Sequence, residues 1–101
     1  MNTFEARLPK HETLFIPFIT AGDPHEDATV DIALALQKQG ASILELGVPY
    51  SDPLADGPII QEASKRALSG GMSISKAIKL VSVMRKKGVK IPVILFTYFN
   101  P

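Results

Sequence analysis

Residues 44–57 read Leu-Glu-Leu-Gly-Val-Pro-Tyr-Ser-Asp-Pro-Leu-Ala-Asp-Gly. Glu45 lies inside an apolar run of strand length, where burying a carboxylate is costly. Asp56 follows eleven residues later, on a loop rich in proline and glycine. Two acidic residues in unlike surroundings, one on a strand and one on the loop after it, suit proton transfer.

Strand and helix patterns alternate on both sides of this stretch. Residues 14–20, 42–46 and 91–97 are apolar runs of strand length with polar or turn-forming residues around them. The segments between them predict three helices, each ended by glycine: residues 24–39 before Gly40, about three turns from Pro58 to Gly70, and residues 74–87 between Ser73 and Gly88.

The sequence also predicts how the first helix begins and which residues the other two helices bury. Asp23 is predicted to cap the first helix, with Pro24 at its first position and Glu26 completing a capping box. The second helix has apolar residues along one side, and in the third the spacing i, i+3, i+4, i+7 predicts a buried stripe. The residues concerned are Ile60, Ala63 and Ala67 in the second helix and Ile74, Ala77, Ile78, Val81 and Met84 in the third.

The order strand, helix, strand, helix, helix, strand predicts an α/β fold with parallel strands joined by right-handed crossovers. Two architectures fit this order, an open doubly wound sheet and part of a (β/α)8 TIM barrel. The phosphate fingerprint of a dinucleotide fold is missing after the first strand, where residues 20–23 read Thr-Ala-Gly-Asp.

The placement of polar and aromatic residues favours the partial barrel. If Glu45 points inward, strand alternation puts Ile43 and Gly47 beside it. If the aromatic and hydroxyl residues of the other two strands face the same way, one concave face carries an acid, aromatic rings and a hydroxyl. The residues expected there are Phe18, Thr20, Ile43, Glu45, Gly47, Phe96 and Tyr98. Barrel enzymes carry their chemistry at the C-terminal ends of the strands. A complete barrel takes about 250 residues, so we expect residues 1–101 to be the N-terminal portion of one barrel domain, with open edges at its outer strands.

Composition excludes several classes of protein. Hydrophobic residues make up 46% and charged residues 21%, which is typical of a globular chain. A formal charge of +1 gives no basic face for nucleic acid. The chain has no cysteine, and His11 and His25 are far apart in polar surroundings, so neither a disulfide nor a metal site is expected. Without a signal-peptide pattern or a membrane-length apolar run, we expect a soluble cytoplasmic protein.

Each candidate site residue also has a plain structural interpretation. Glu45 is either a general acid and base or a glutamate on an edge strand with its carboxylate in water. Asp56 precedes Gly57 and Pro58 and could simply cap the next helix, and Asp52 is an ordinary turn residue. Taken singly, Phe18 and Tyr98 are more often core residues than ligand contacts.

The whole chain resembles the tryptophan synthase alpha subunit family. The resemblance is carried by residues 44–60, by Phe-Ile-Pro-Phe-Ile-Thr-Ala-Gly-Asp-Pro at residues 15–24, by Gln61 and the alanine-rich helix after it, and by residues 92–101. It implies a retro-aldol cleavage of indole-3-glycerol phosphate to indole and glyceraldehyde 3-phosphate, with no cofactor or metal in the alpha subunit.

The resemblance also implies roles for individual residues. Glu45 corresponds to the family's catalytic glutamate, which protonates the indole ring carbon and helps to remove the side-chain hydroxyl proton. Asp56 corresponds to the catalytic aspartate, which interacts with the indole N–H and stabilises the charged ring. Phe18, Phe96 and Tyr98 fall where the family lines its indole pocket. The loop that contains Asp52 and Pro53 is similar to the one that contacts the beta subunit, which carries pyridoxal phosphate.

Two alternatives to the alpha-subunit function stay open. The family's phosphate site lies after strands seven and eight and its closing loop after strand six, so this chain alone is expected to be inactive. It would then act as an assembly module that associates with itself, or with the complementary C-terminal portion, through its open edges. A different barrel enzyme of phosphorylated metabolites is the third candidate, which residues 44–57 argue against.

Overall fold

A computed structural model describes residues 13–49 and 57–97 of the chain. Three strands and three helices occur in these two ranges, in the predicted order: β1 (Phe18–Thr20), α1 (Glu26–Lys38), β2 (Leu44–Gly47), α2 (Pro58–Ser69), α3 (Ile74–Lys87) and β3 (Val93–Phe96). The strands are shorter than the apolar runs because those runs mark burial and continue past the regular ladder. The residues before β1 still bond to the β2 segment, since Phe15 O accepts from Ser42 N at 2.8 Å.

The three strands form one parallel sheet in the order β1-β2-β3. Leu44 and Leu46 of β2 are fully buried on the side that the helices cover. They form one core with Val30 and Ala33 of α1 and with buried residues of α2 and α3, among them Ala67, Leu80 and Met84. Because β2 alternates, Glu45 points to the opposite side of the sheet.

The predicted start of α1 is wrong. Its N-cap is His25, whose extended backbone lets Nδ1 accept a hydrogen bond from Ala28 N at 3.2 Å. Asp23 and Pro24 therefore precede the helix, and Glu26 is its first residue rather than the third position of a capping box. The physical reason is that the Asp23 carboxylate has another partner, the guanidinium of Arg66 on α2.

The predicted buried stripe of α3 is wrong in part. Ala77 and Met84 are buried, but Ile74 is 51% exposed and Ile78 is 55% exposed. Leu80 is buried instead. Ala77 and Met84 belong to two overlapping stripes along the helix, and the stripe that also contains Leu80 is the one that faces the core.

The predicted helix boundaries at Ser73, Gly70 and Gly88 are confirmed. The Ser73 side chain accepts from Lys76 N, and Gly88 ends α3 in the left-handed conformation with φ of 109°. On α2, Ala63 and Ala67 are buried as predicted and Ile60 is half-buried. In the two described ranges, none of the helices combines the length and hydropathy that crossing a membrane requires.

Candidate active site

Glu45 lies in the middle of β2 on the face of the sheet away from the helices. It pairs in register with Phe18 on β1 and Ile94 on β3, and in-register residues of parallel strands point to the same side. Its backbone N–H donates to Pro17 O at 2.9 Å, whereas its half-buried carboxylate has no partner among the residues that the structure describes. The group is thus oriented by the sheet and left available to a ligand.

A second row of residues lies one step further toward the C-terminal ends of the strands. Thr20, Gly47 and Phe96 pair in register and share the face of Glu45. The predicted common face is therefore present for these residues and for Phe18. Tyr98, which was predicted to join them, lies outside the described residues.

A small apolar cavity of about 90 Å³ lies at this end of the sheet. Its lining comes from the three strand ends and from one side of α2: Phe18, Thr20, Gly47, Val48, Ile60, Ser64 and Phe96. The rings of Phe18 and Phe96 meet edge to face, with centroids 6.2 Å apart and planes at 84°. Such an aromatic wall favours a flat apolar group as ligand.

Gly47 makes room for the aromatic wall. A Cβ atom added there would lie 2.3 Å from Cζ of Phe18, closer than any real van der Waals contact. The ring of Phe18 therefore lies directly over the Gly47 backbone. The sequence predicted this glycine on the concave face, and the structure shows that its missing side chain leaves room for an aromatic ring of the cavity wall.

Sequence reasoning did not assign Ser64 to the site, and it placed Ile60 on a packing face without a link to the cavity. Both lie on α2 at i and i+4 spacing and reach the cavity from above the strand ends. Ser64 is buried, so its hydroxyl is a polar group in a largely apolar lining. The repeat of small residues at Ala63, Ser64 and Ala67 was the available signal, because it predicts close packing of α2.

The acidic loop between β2 and α2 contains three of the predicted site residues. Asp52, Pro53 and Asp56 lie outside the described residues. The structure describes the two ends of that loop, where Pro49 is buried and Gly57 is exposed. Gly57 is the N-cap of α2, so the N-cap position itself is not occupied by Asp56.

The described site holds one carboxylic acid and few other polar groups. Glu45 is its acid, and Thr20 and Ser64 supply hydroxyls. In residues 13–49 and 57–97 no three His, Cys, Asp or Glu side chains cluster as metal ligands would. A half-buried carboxyl on the sheet face that also carries the rings of Phe18 and Phe96 fits acid and base chemistry on a planar aromatic substrate.

This fold and site place the chain in the class of (β/α)8 barrels, of which it forms a part with three parallel strands. It superposes with a TM-score of 0.89 on the crystal structure of tryptophan synthase subunit alpha from Legionella pneumophila str. Paris, at 41% identity over 97% of this chain and 39% of that one. The profile of the family described as tryptophan synthase alpha chain matches residues 4–101. The chain belongs to this family.

Two further relatives define how much of a family member this chain represents. The tryptophan synthase alpha chain of Bacillus pumilus is 67% identical over 101 residues, which are all of this chain and 37% of that protein. A chain from the structure of the tryptophan synthase α2β2 complex of Pyrococcus furiosus is 43% identical, with a TM-score of 0.78 over 87% of this chain and 35% of that one. The chain thus spans little more than a third of the length of its relatives.

Proposed function

We propose that this chain supplies the ring-binding and proton-transfer part of an active site that cleaves indole-3-glycerol phosphate to indole and glyceraldehyde 3-phosphate. The observation that carries the proposal is that Glu45 shares one sheet face with the aromatic cavity at the strand C-termini. Membership of the tryptophan synthase alpha chain family supports the choice of substrate.

In the proposed reaction Glu45 works first as an acid and then as a base. It protonates the ring carbon that bears the glycerol chain, which places a positive charge on the indole nitrogen. Removal of the proton from the adjacent hydroxyl then forms the aldehyde, and the electrons of the breaking carbon–carbon bond neutralise the ring. Asp56 would stabilise the charged nitrogen, since two carboxylates in unlike environments can divide such roles.

The remaining residues have binding roles in this proposal. Phe18 and Phe96 would hold the ring of the substrate in the cavity, and Tyr98 would extend this aromatic wall. Asp52 and Pro53 would contact a beta subunit, in which the pyridoxal phosphate belongs. The α2β2 complex named for the Pyrococcus furiosus relative supports such a partner. We also propose that the protein is cytoplasmic, as its sequence predicts.

A chimeric alpha chain tests the proposal. It joins the 101 residues of this chain to the part of the Bacillus pumilus relative that lies beyond the matched segment. We expect it to release indole from indole-3-glycerol phosphate, and we expect Glu45→Gln to lower kcat by about 10²- to 10⁴-fold, the usual contribution of a general acid or base. Because the carboxylate has no partner among the described residues, the variant should unfold at the same urea concentration as the parent.

Two results would contradict the proposal. One is an active Glu45→Gln chimera, and the other is a folded parent chimera that releases no indole. The 101-residue chain alone should release none, because it lacks the segments expected to hold the phosphate and exclude water. Indole release by the chain alone, abolished by Glu45→Gln, would show that those segments are not required.

A second candidate function is assembly without catalysis. It is favoured by the large apolar side chains on the Glu45 face, where Phe18 is 36%, Ile94 42% and Phe96 49% exposed. Light scattering across a concentration series, followed by mixing with the complementary C-terminal portion, separates the candidates. Recovered indole release favours complementation, in which the added portion completes the enzyme, whereas a closed oligomer that the added portion does not change favours assembly without catalysis.

A further inference from the structure

Two hydroxyl groups reach the cavity from different elements of the fold. Thr20 lies at the C-terminal end of β1, and Ser64 lies in the middle of α2. Both residues line the cavity, and both are more than nine-tenths buried, with exposed fractions of 8% and 5%. The other lining residues are glycine, valine, isoleucine and two phenylalanines. The side chains around the cavity are thus apolar except for these two hydroxyls.

The described part of the fold does not use either hydroxyl. A serine inside a helix can bond to the carbonyl four residues earlier, but Ser64 forms no such bond with Ile60 and none with any other residue in 13–49 or 57–97. The Thr20 hydroxyl has no partner in these ranges either. No completely enclosed side-chain oxygen in the same ranges lacks a partner. Both hydroxyl oxygens are therefore open to the cavity that they line.

A third buried hydroxyl shows the contrast. Thr29 on α1 donates to His25 O at 3.0 Å and accepts from Gly22 N at 2.9 Å. Its hydroxyl is thus satisfied within the fold, as buried polar groups usually are. Because a buried hydroxyl without a partner is costly, the two open hydroxyls of the cavity indicate that a ligand supplies their partner.

We propose that Thr20 and Ser64 are specificity-determining residues, whose hydroxyls form one polar subsite that hydrogen-bonds a polar atom at the edge of a bound planar ring. The proposal rests on the proposed function, because it takes this cavity as the site of the ring. A ring that carries an N–H group or a hydroxyl substituent at this edge pairs with the subsite. A hydrocarbon ring of the same shape displaces water from both hydroxyls without replacing it, and therefore binds more weakly.

Ligand binding to the chimeric alpha chain tests the subsite. Calorimetry gives the Kd of indole and of indene, which has the same two fused rings without the N–H group. It also gives the Kd of hydroxyindoles and of methylindoles substituted at matching ring carbons. The double variant Thr20→Val with Ser64→Ala removes both hydroxyls with little change in shape. We expect one of the two preferences, indole over indene or hydroxyl over methyl, to fall about 10-fold in this variant. A fall in the first identifies the ring N–H as the bonded atom, and a fall in the second identifies a ring substituent.

Thr29→Val is the matched control, since it removes a buried hydroxyl that is bonded within the fold. It should unfold at a lower urea concentration than the parent and leave both preferences unchanged. The double variant should unfold at the urea concentration of the parent or above it, because its hydroxyls stabilise nothing in the unliganded fold. A loss of stability as large as that of Thr29→Val would overturn the subsite, since the hydroxyls would then have partners within the protein.

The binding results also separate the two proposals. A parent chimera that shows a hydroxyl-dependent preference but releases no indole from indole-3-glycerol phosphate contradicts the proposed function and supports the subsite. An active parent whose two preferences both persist in the double variant overturns the subsite alone. A folded parent that binds none of these ligands overturns the subsite as well.

Discussion

Gly47→Ala tests the packing that forms the cavity, and the sign of its effect depends on one aromatic ring. In a strand, alanine is normally preferred to glycine by about 0.5–1 kcal/mol. Here the new Cβ would lie 2.3 Å from Cζ and 2.9 Å from Cε2 of Phe18. Ordinary carbon contacts are about 3.5–4.0 Å, so the ring must move by more than about 1 Å.

The magnitude follows from what the ring loses when it moves. Phe18 is partly exposed, so it can turn away toward solvent rather than push the backbone. Turning weakens the edge-to-face contact with Phe96, which is worth about 0.5–1.5 kcal/mol. It also forces an unfavourable rotamer, at a similar cost of about 0.5–1.5 kcal/mol. We therefore expect Gly47→Ala to lower the free energy of unfolding by about 1–2 kcal/mol.

A double-mutant cycle in the chimeric alpha chain measures this cost. Urea unfolding, followed by circular dichroism, gives the free energy of unfolding of the parent, Gly47→Ala, Phe18→Ala and the double variant. With Phe18 removed, Gly47→Ala should become neutral or stabilising, which corresponds to a coupling of about 2 kcal/mol. An equal loss of stability in both backgrounds would refute the reasoning, because the obstruction would then lie elsewhere than in the Phe18 ring.

Three further predictions concern the scaffold of the site, again measured by urea unfolding of the chimera. Gln37→Ala should lower the free energy of unfolding by about 1–3 kcal/mol. The reason is that the Gln37 amide forms hydrogen bonds with the Gly88 carbonyl and with two backbone N–H groups of the loop before β3. A loss no larger than that of an ordinary surface substitution would contradict this prediction. Gly88→Ala should lower the free energy of unfolding by about 1 kcal/mol, since φ is 109° while the nearest side chain, Leu34, is 4.0 Å away. The control Gly70→Ala, with φ of −81° and its nearest contact at 3.5 Å, should be neutral or slightly stabilising; equal effects would refute the conformational argument. The hydrogen bond with Asp23 raises the pKa of Arg66 in the folded protein. The stabilisation by this ion pair is therefore complete below the pKa of Arg66 in the unfolded chain, and it is lost only as the pH rises through the pKa of Arg66 in the folded protein. The stability difference between parent and Arg66→Ala should therefore stay constant from neutral to mildly alkaline pH, and a decline there would contradict this.

The element order and the Glu45 face were accessible from the sequence for physical reasons. Glycine and proline punctuate the helices because they alone satisfy particular backbone demands, as Gly88 does at the end of α3. Strand alternation is equally strict, so two assumptions, that Glu45 points inward and that the aromatic residues of the neighbouring strands face the same way, were enough to predict Phe18, Thr20 and Phe96 on its face.

Long-range polar contacts were not accessible in this way. Asp23 has the residue type and spacing of a helix cap, and nothing local shows that Arg66, forty-three positions away, takes its carboxylate instead. Gln37 likewise reads as an ordinary exposed helix residue, although it binds a loop more than fifty positions later. Such pairings depend on how helices are placed in space, and side-chain periodicity carries no information on that.

The direction of Glu45 is itself decided by its apolar neighbours. Leu44 and Leu46 are completely buried under the helices, and burying each leucine stabilises the fold by about 1.5–3 kcal/mol. A shift of one residue in the register of β2 would expose both and would press the Glu45 carboxylate into the apolar core, where an unpaired charge costs several kcal/mol. It would also replace Gly47 by a side chain beneath Phe18 and fill the cavity. The hydrophobic core therefore fixes the acid and the cavity on the same face at once, and the candidate site follows from the forces that stabilise the sheet.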